Sequence, residues 1–116
     1  MLRFFTYKSC DSCRKARMWL RENGVDFEEI PIRETPPSFD ELDRARKRLG
    51  LKRLFNTAGL DYRQLGLKDR IPSMSEKEAI SLLSQNGNLV KRPFLVGETV
   101  VLTGFRPEEW SEVLLD

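Results

Sequence analysis

The stretch LRFFTYKSCDSCRKARMWLRENGVDFEEIPI, residues 2–32, decides the architecture of the chain. LRFFTY is aromatic and apolar and short enough for a strand. SCDSCRKARMWLREN then sets Cys13, Ala16, Trp19 and Leu20 on one face at helical spacing, and Gly24 stands where a helix commonly stops. In VDFEEIPI the apolar positions Val25, Phe27, Ile30 and Ile32 predict a second strand, although their alternation is imperfect. Strand, helix and strand within about thirty residues make a crossover unit, which favours a parallel pair.

Beyond this unit the pattern turns helical. Pro36 and Pro37 interrupt the chain, Ser38 and Glu41 are spaced as a capping box, and Phe39, Leu42, Ala45 and Leu49 form one apolar stripe before Gly50. LKRLFNTAGLDYRQLGL predicts two short helices broken at Gly59 and Gly66. Ser75 with Glu78 opens a further helix over EKEAISLLSQ, ending near Asn86 and Gly87. PFLV and TVVL flank Gly97-Glu98, a glycine-first pair suited to a two-residue hairpin turn, and Pro107 takes the first helical position before EEWSEVLL. The order β-α-β, helices, β-β-α predicts an α/β chain with one mixed sheet.

With 116 residues, 40% apolar and 33% charged, the expectation is one domain over 1–116 with a core of ordinary size. A net charge of +2 is too mild for a nucleic-acid binder, which needs concentrated positive charge. No stretch approaches the ~20 apolar residues of a membrane span, and no leader-type pattern opens the chain. The expectation is a monomer in the cytoplasm, a reducing compartment, with no direct contact to nucleic acid or membrane.

The two cysteines, Cys10 and Cys13, are the chain's only ones, and it has no histidine. Tetrahedral zinc needs four ligands, usually Cys and His, so an intrachain zinc site is excluded. A structural disulfide across two intervening residues closes a tiny loop, gains little, and is open to attack by cytosolic thiols. Two readings are left: ordinary cysteines, one of them packed, or working thiols. The context favours the second. A helix N-terminus stabilises a thiolate through unpaired N–H groups and the positive end of its dipole, and Cys10 sits where those groups point. Cys13, one turn deeper, is placed to attack a mixed disulfide formed on Cys10. Arg14 and Lys15 add positive charge nearby and Asp11 opposes it. A C-x-x-C after the first strand of a β-α-β unit matches a thioredoxin-like redox motif.

CDSCRKARMWLREN, FNTAGLDYRQLGL, KRPFLV and GFRPEEW, in that order, resemble the arsenate-reductase-like (ArsC/Spx) family over essentially the whole chain, closest in pattern to members that carry a C-x-x-C pair. The resemblance implies a thioredoxin-like fold: a mixed four-stranded sheet with a helical insertion, about 35–88, between the second and third strands. It also implies a cis peptide bond before Pro93, beside the active thiol. In the arsenate reductases of this family a cysteine attacks arsenate and three arginines hold the oxyanion, a task suited to the fixed donors of guanidinium. Arg92 and Arg106 match two of these; Asn56 stands where the third belongs, and Tyr7 and Lys8 occupy the region of a histidine found in those enzymes.

These observations predict a thiol–disulfide oxidoreductase that reduces arsenate poorly, with Cys10 attacking and Cys13 resolving. Arg92, Pro93, Arg106 and Asn56 form the expected anion or substrate site. The resemblance implies no bound cofactor, glutathione or thioredoxin as reductant, and a small thiol, an oxyanion or a redox protein as partner. The Spx-like alternative is a redox-sensing regulator that binds RNA polymerase. For it, Arg44, Arg46, Lys47, Arg48, Lys52 and Arg53 offer a basic cluster, whose plainer reading is a solvated helix face.

Overall fold

A computed structural model describes residues 1–115. Its strands are β1 (Leu2–Thr6), β2 (Phe27–Pro31), β3 (Phe94–Val96) and β4 (Val101–Thr103). They form one sheet in the order β2-β1-β3-β4, with β1 and β2 parallel and the other two pairs antiparallel. The expected mixed α/β sheet is what forms. Helix α1 (Asp11–Glu22) makes the β1–β2 crossover and stops at Gly24, whose φ of 67° suits a residue without Cβ.

Between β2 and β3 lie α2 (Phe39–Leu49), α3 (Leu60–Gln64), α4 (Leu67–Arg70) and α5 (Glu76–Gln85); α6 (Pro107–Leu114) ends the described chain. Both capping boxes form, Ser38 with Glu41 and Ser75 with Glu78, so each of the two longer insertion helices starts where its side chains satisfy the first free N–H groups. Gly59 and Gly66 precede α3 and α4 as expected, Gly66 with φ 63°.

The period of two along the strands divides the core. Phe4, Leu95 and Leu102 are paired across the sheet and pack with Ala16, Leu20 and Trp110, so α1 and α6 cover one face. Phe5, Phe94, Val96 and Val101 point the other way, onto Leu42, Ala45, Leu54, Ile80 and Leu83 of the insertion. Each Phe or Leu so buried contributes about 1.5–3 kcal/mol. Strand β1 is therefore covered on both faces, which is why Phe4 and Phe5 are both fully buried in succession, while the edge strand β2 leaves Glu28 and Glu29 exposed.

Two local expectations are corrected. The β3–β4 connection does not turn at Gly97-Glu98: Gly97 N donates to Val100 O at 2.9 Å, so the tip is Glu98-Thr99, and Gly97 has no positive φ. A Cβ at position 97 would come within 2.5 Å of Leu2 Cδ2, the end of a flexible side chain that can turn aside. In α2, Leu42 and Ala45 are buried but Phe39 is exposed. As the first helical residue it has no preceding turn to lie over.

Candidate functional site

Cys10 is the N-cap of α1, in extended conformation, with its own N–H given to Tyr7 O at 3.0 Å. Its Sγ accepts the backbone N–H of Cys13 at 3.2 Å. A capping position is normally filled by an oxygen that takes an orphan amide; here a sulfur takes it, and the donor favours the anion. Its pKa falls from 9.0 to about 6, mainly because the Cys13 side chain donates to it, helped by the Cys13 amide and the nearby Arg92 charge, against the cost of burial. Cys13 is buried, and sharing a proton with Cys10 together with loss of solvent pushes its thiol far above the ordinary range. The two thiols are thus unlike, a half-buried one whose anion is favoured and a buried one whose anion is disfavoured.

Arg14 and Lys15 are not the source of this field. Both pair with Asp11, at 2.6 and 3.2 Å, on the exposed side of the first turn. Arg92 supplies it instead. Its guanidinium lies 4.8 Å from the Tyr7 ring centroid, while Arg33 lies 4.6 Å from the same ring and donates to Tyr7 Oη at 2.9 Å. The aromatic ring holds the two cations beside the loop that leads into Cys10. Beneath the site, Arg17 on α1 clasps the carboxylate of Glu29 on β2, which also accepts from buried Thr6. The guanidinium and the hydroxyl hold that carboxyl below its usual range and fix α1 on the sheet.

The far wall is made by the insertion. Phe55 and Val90 form an isolated antiparallel bridge, flanked by Asn56 N to Leu89 O and Lys91 N to Leu54 O, both 2.7 Å. This brings residues 52–57 alongside 91–92. The peptide bond between Arg92 and Pro93 is cis, as the resemblance implied, and Pro93 is buried with its carbonyl accepting Gly104 N–H. The result is an open cavity of about 340 Å³ bordered by Ser12, Lys52, Arg53, Thr57, Lys91, Arg92, Phe105 and Arg106. Glu109 neutralises Arg53 through two bonds of 3.0 and 3.1 Å, whereas Lys52, Lys91, Arg92 and Arg106 have no carboxylate partner among the described residues.

Cys10, Cys13, Arg92 and Arg106 are therefore gathered at one end of the sheet. Asn56 is not brought into that wall, although Phe55 and Thr57 on either side are: its Nδ2 is directed to Asn88 O at 3.4 Å. The expected basic cluster is split. Arg44 and Arg48 donate to carbonyls of the β3–β4 connection, and Arg46 and Lys47 pair with Asp43, so only Lys52 and Arg53 reach the cavity. Lys91 joins the wall unanticipated, its signal in the sequence being its place beside Arg92-Pro93. Among the described residues no group of three His, Cys, Asp or Glu side chains could hold a metal ion, and no helix is long and apolar enough to cross a membrane.

A mixed four-stranded sheet, a C-x-x-C at the first helix and a cis-proline opening the third strand define a protein of thioredoxin-like fold. The ArsC family model matches residues 5–113, and the chain belongs to the ArsC family. The crystal structure of an ArsC family related protein from Bacteroides fragilis superposes with a TM-score of 0.90 at 42% identity, covering 96% of this chain and 95% of its own. The uncharacterized protein YusI of Bacillus subtilis strain 168 is 42% identical over 113 residues, 96% of each chain. The global transcriptional regulator Spx of Streptococcus mutans serotype c is 32% identical over 111 residues, 94% of this chain and 80% of its own.

Proposed function

We propose that the chain is a cytoplasmic thiol–disulfide oxidoreductase in which Cys10 attacks and Cys13 resolves. The observation that carries this reading is the asymmetry of the pair: Cys10 caps the helix with its thiol lowered to about 6, and Cys13 lies buried one turn on, its thiol raised. The Cys10 thiolate attacks one sulfur of a disulfide; a Cys10 mixed disulfide forms and the other sulfur leaves with the electron pair. Cys13 then loses its proton and attacks Cys10 Sγ, giving the Cys10–Cys13 disulfide and releasing the second thiolate. Two electrons have passed from the dithiol to the substrate. Two equivalents of glutathione, or one thioredoxin-type dithiol, return them.

Arg92 and Arg106 suit a carboxylate or oxyanion ligand. With Asn56 turned to the Asn88 carbonyl and Arg53 held by Glu109, arsenate is offered two guanidinium groups without a carboxylate partner among the described residues, Arg92 and Arg106, where the dedicated enzymes place three. Loss of one charge-assisted interaction costs on the order of 1–2 kcal/mol, about tenfold in affinity, which supports poor arsenate reduction. Turnover of hydroxyethyl disulfide with glutathione or thioredoxin tests the reading. It should vanish in Cys10→Ser, and Cys13→Ser should accumulate mixed disulfides; absence of turnover with either reductant overturns the proposal.

The similarity to Spx of Streptococcus mutans favours a second reading, a thiol switch that binds RNA polymerase. Co-purification with polymerase that changes on oxidation supports it. Disulfide turnover without any polymerase association removes it.

A further inference from the structure

The basic cavity beside Cys10 adjoins a second cavity of a different character. Lys52, Phe55 and Thr57 line both, and the second, about 370 Å³, is otherwise walled by apolar groups, Leu51, Tyr62, Ile71 and Pro72, with Lys68 at its edge. Each lies in the range of about 300–1,000 Å³ that accepts a ligand of some size, so a small disulfide cannot fill both. The apolar part belongs to the insertion, where Leu60 and Leu65 on either side of Tyr62 are 60% and 39% exposed. Asp61 fixes this segment by accepting from Asn86 and Asn88, so the cavity wall is anchored.

Resting on the thiol–disulfide reading above, we propose that the substrate disulfide is carried by a polypeptide segment. An acidic side chain near its cysteine meets Lys52 and Lys91, and a large apolar side chain further along enters the adjoining cavity. Charge complementarity selects this occupant over a cationic one, since neither lysine has a carboxylate partner among the described residues. An extended chain rises about 3.3 Å per residue, so residues two to five from the cysteine scan roughly 7–17 Å from the reacting sulfur.

The test uses the Cys13→Ser variant and short peptides with one central cysteine, each joined to thionitrobenzoate as a mixed disulfide. The Cys10 thiolate attacks the peptide sulfur, the Cys10–peptide bond forms, the bond to thionitrobenzoate breaks, and the coloured thiolate leaves with the electron pair. Peptides with Asp beside the cysteine and Phe two to five residues away should react roughly tenfold or more faster than their Lys and Ser counterparts, as burial of an aromatic side chain allows. Methyl signals of Leu51 and Ile71 should shift in the Phe adduct and stay in place in the Ser adduct. Rates independent of peptide sequence, and equal to that of the hydroxyethyl mixed disulfide, overturn the polypeptide proposal while leaving the Cys10 chemistry intact. A rate advantage with unmoved methyl signals overturns the assigned cavity. Failure of even the hydroxyethyl compound to react at Cys10 overturns the thiol reading itself.

Discussion

The alkylation rate of Cys10 as a function of pH tests the helix-cap argument directly. With its pKa at about 6 the thiol is about 90% ionised at pH 7, against about 1% for one at the ordinary 9.0. Nucleophilicity falls with pKa at a Brønsted slope of about 0.4–0.5, so this roughly ninetyfold gain in thiolate becomes only about fourfold in rate. The diagnostic is therefore the shape of the profile. The wild-type rate with iodoacetamide should fall about tenfold from pH 7 to pH 5 and be nearly flat from 7 to 9, where an unperturbed thiol climbs steeply. The ranking of causes orders the variants. Cys13→Ala, which removes the strongest donor, should raise the midpoint more than Arg92→Ala, and Cys13→Ser, which keeps a hydroxyl donor, should stay nearer wild type. A wild-type midpoint of 8 or above refutes the reasoning, and a larger effect from Arg92→Ala than from Cys13→Ala refutes the assignment of its main cause.

Glu29→Ala should destabilise the fold by about 2 kcal/mol, because it leaves Arg17 and the Thr6 hydroxyl without their charge-assisted partner; urea unfolding measures it. Glu29's carboxyl is held below its unfolded value, so this contribution is complete above that value and is lost as pH falls below it, and the wild-type and Glu29→Ala midpoints should converge in acid. Gly87→Ala should prevent stable folding, since its Cβ would lie 1.8 Å from Ile32 O, a backbone atom that cannot yield locally; normal thermal unfolding of the variant would contradict this. Arg92→Ala should weaken oxyanion or glutathione binding by about tenfold in calorimetry, and unchanged affinity would place the anion elsewhere.

What was legible in the sequence follows the range of the interaction that decides each feature. The two capping boxes and the placing of Cys10 at a helix start with Cys13 one turn on depend on residues within one or two turns of each other, and spacing encodes them. Gly87 and Gly97 show the limit. Both carried a plausible local meaning, helix stop and hairpin turn, but Gly87 is required by the Ile32 backbone, and the turn falls one residue beyond Gly97-Glu98, at Glu98-Thr99. Asn56 shows a second limit. Family position places a residue in the right segment, while the direction of its side chain depends on the Asn88 carbonyl, a partner that only the Phe55–Val90 bridge brings near. The same bridge sets Lys52 and Arg53 against Lys91 and Arg92, turning two basic pairs, distant in the chain, into one wall beside the thiol. The lowered thiol of Cys10 is thus local chemistry, readable from C-x-x-C and a helix start. What it accepts is decided by the tertiary wall, and that is why the substrate question passes from the cysteines to the two cavities on either side of Phe55 and Thr57.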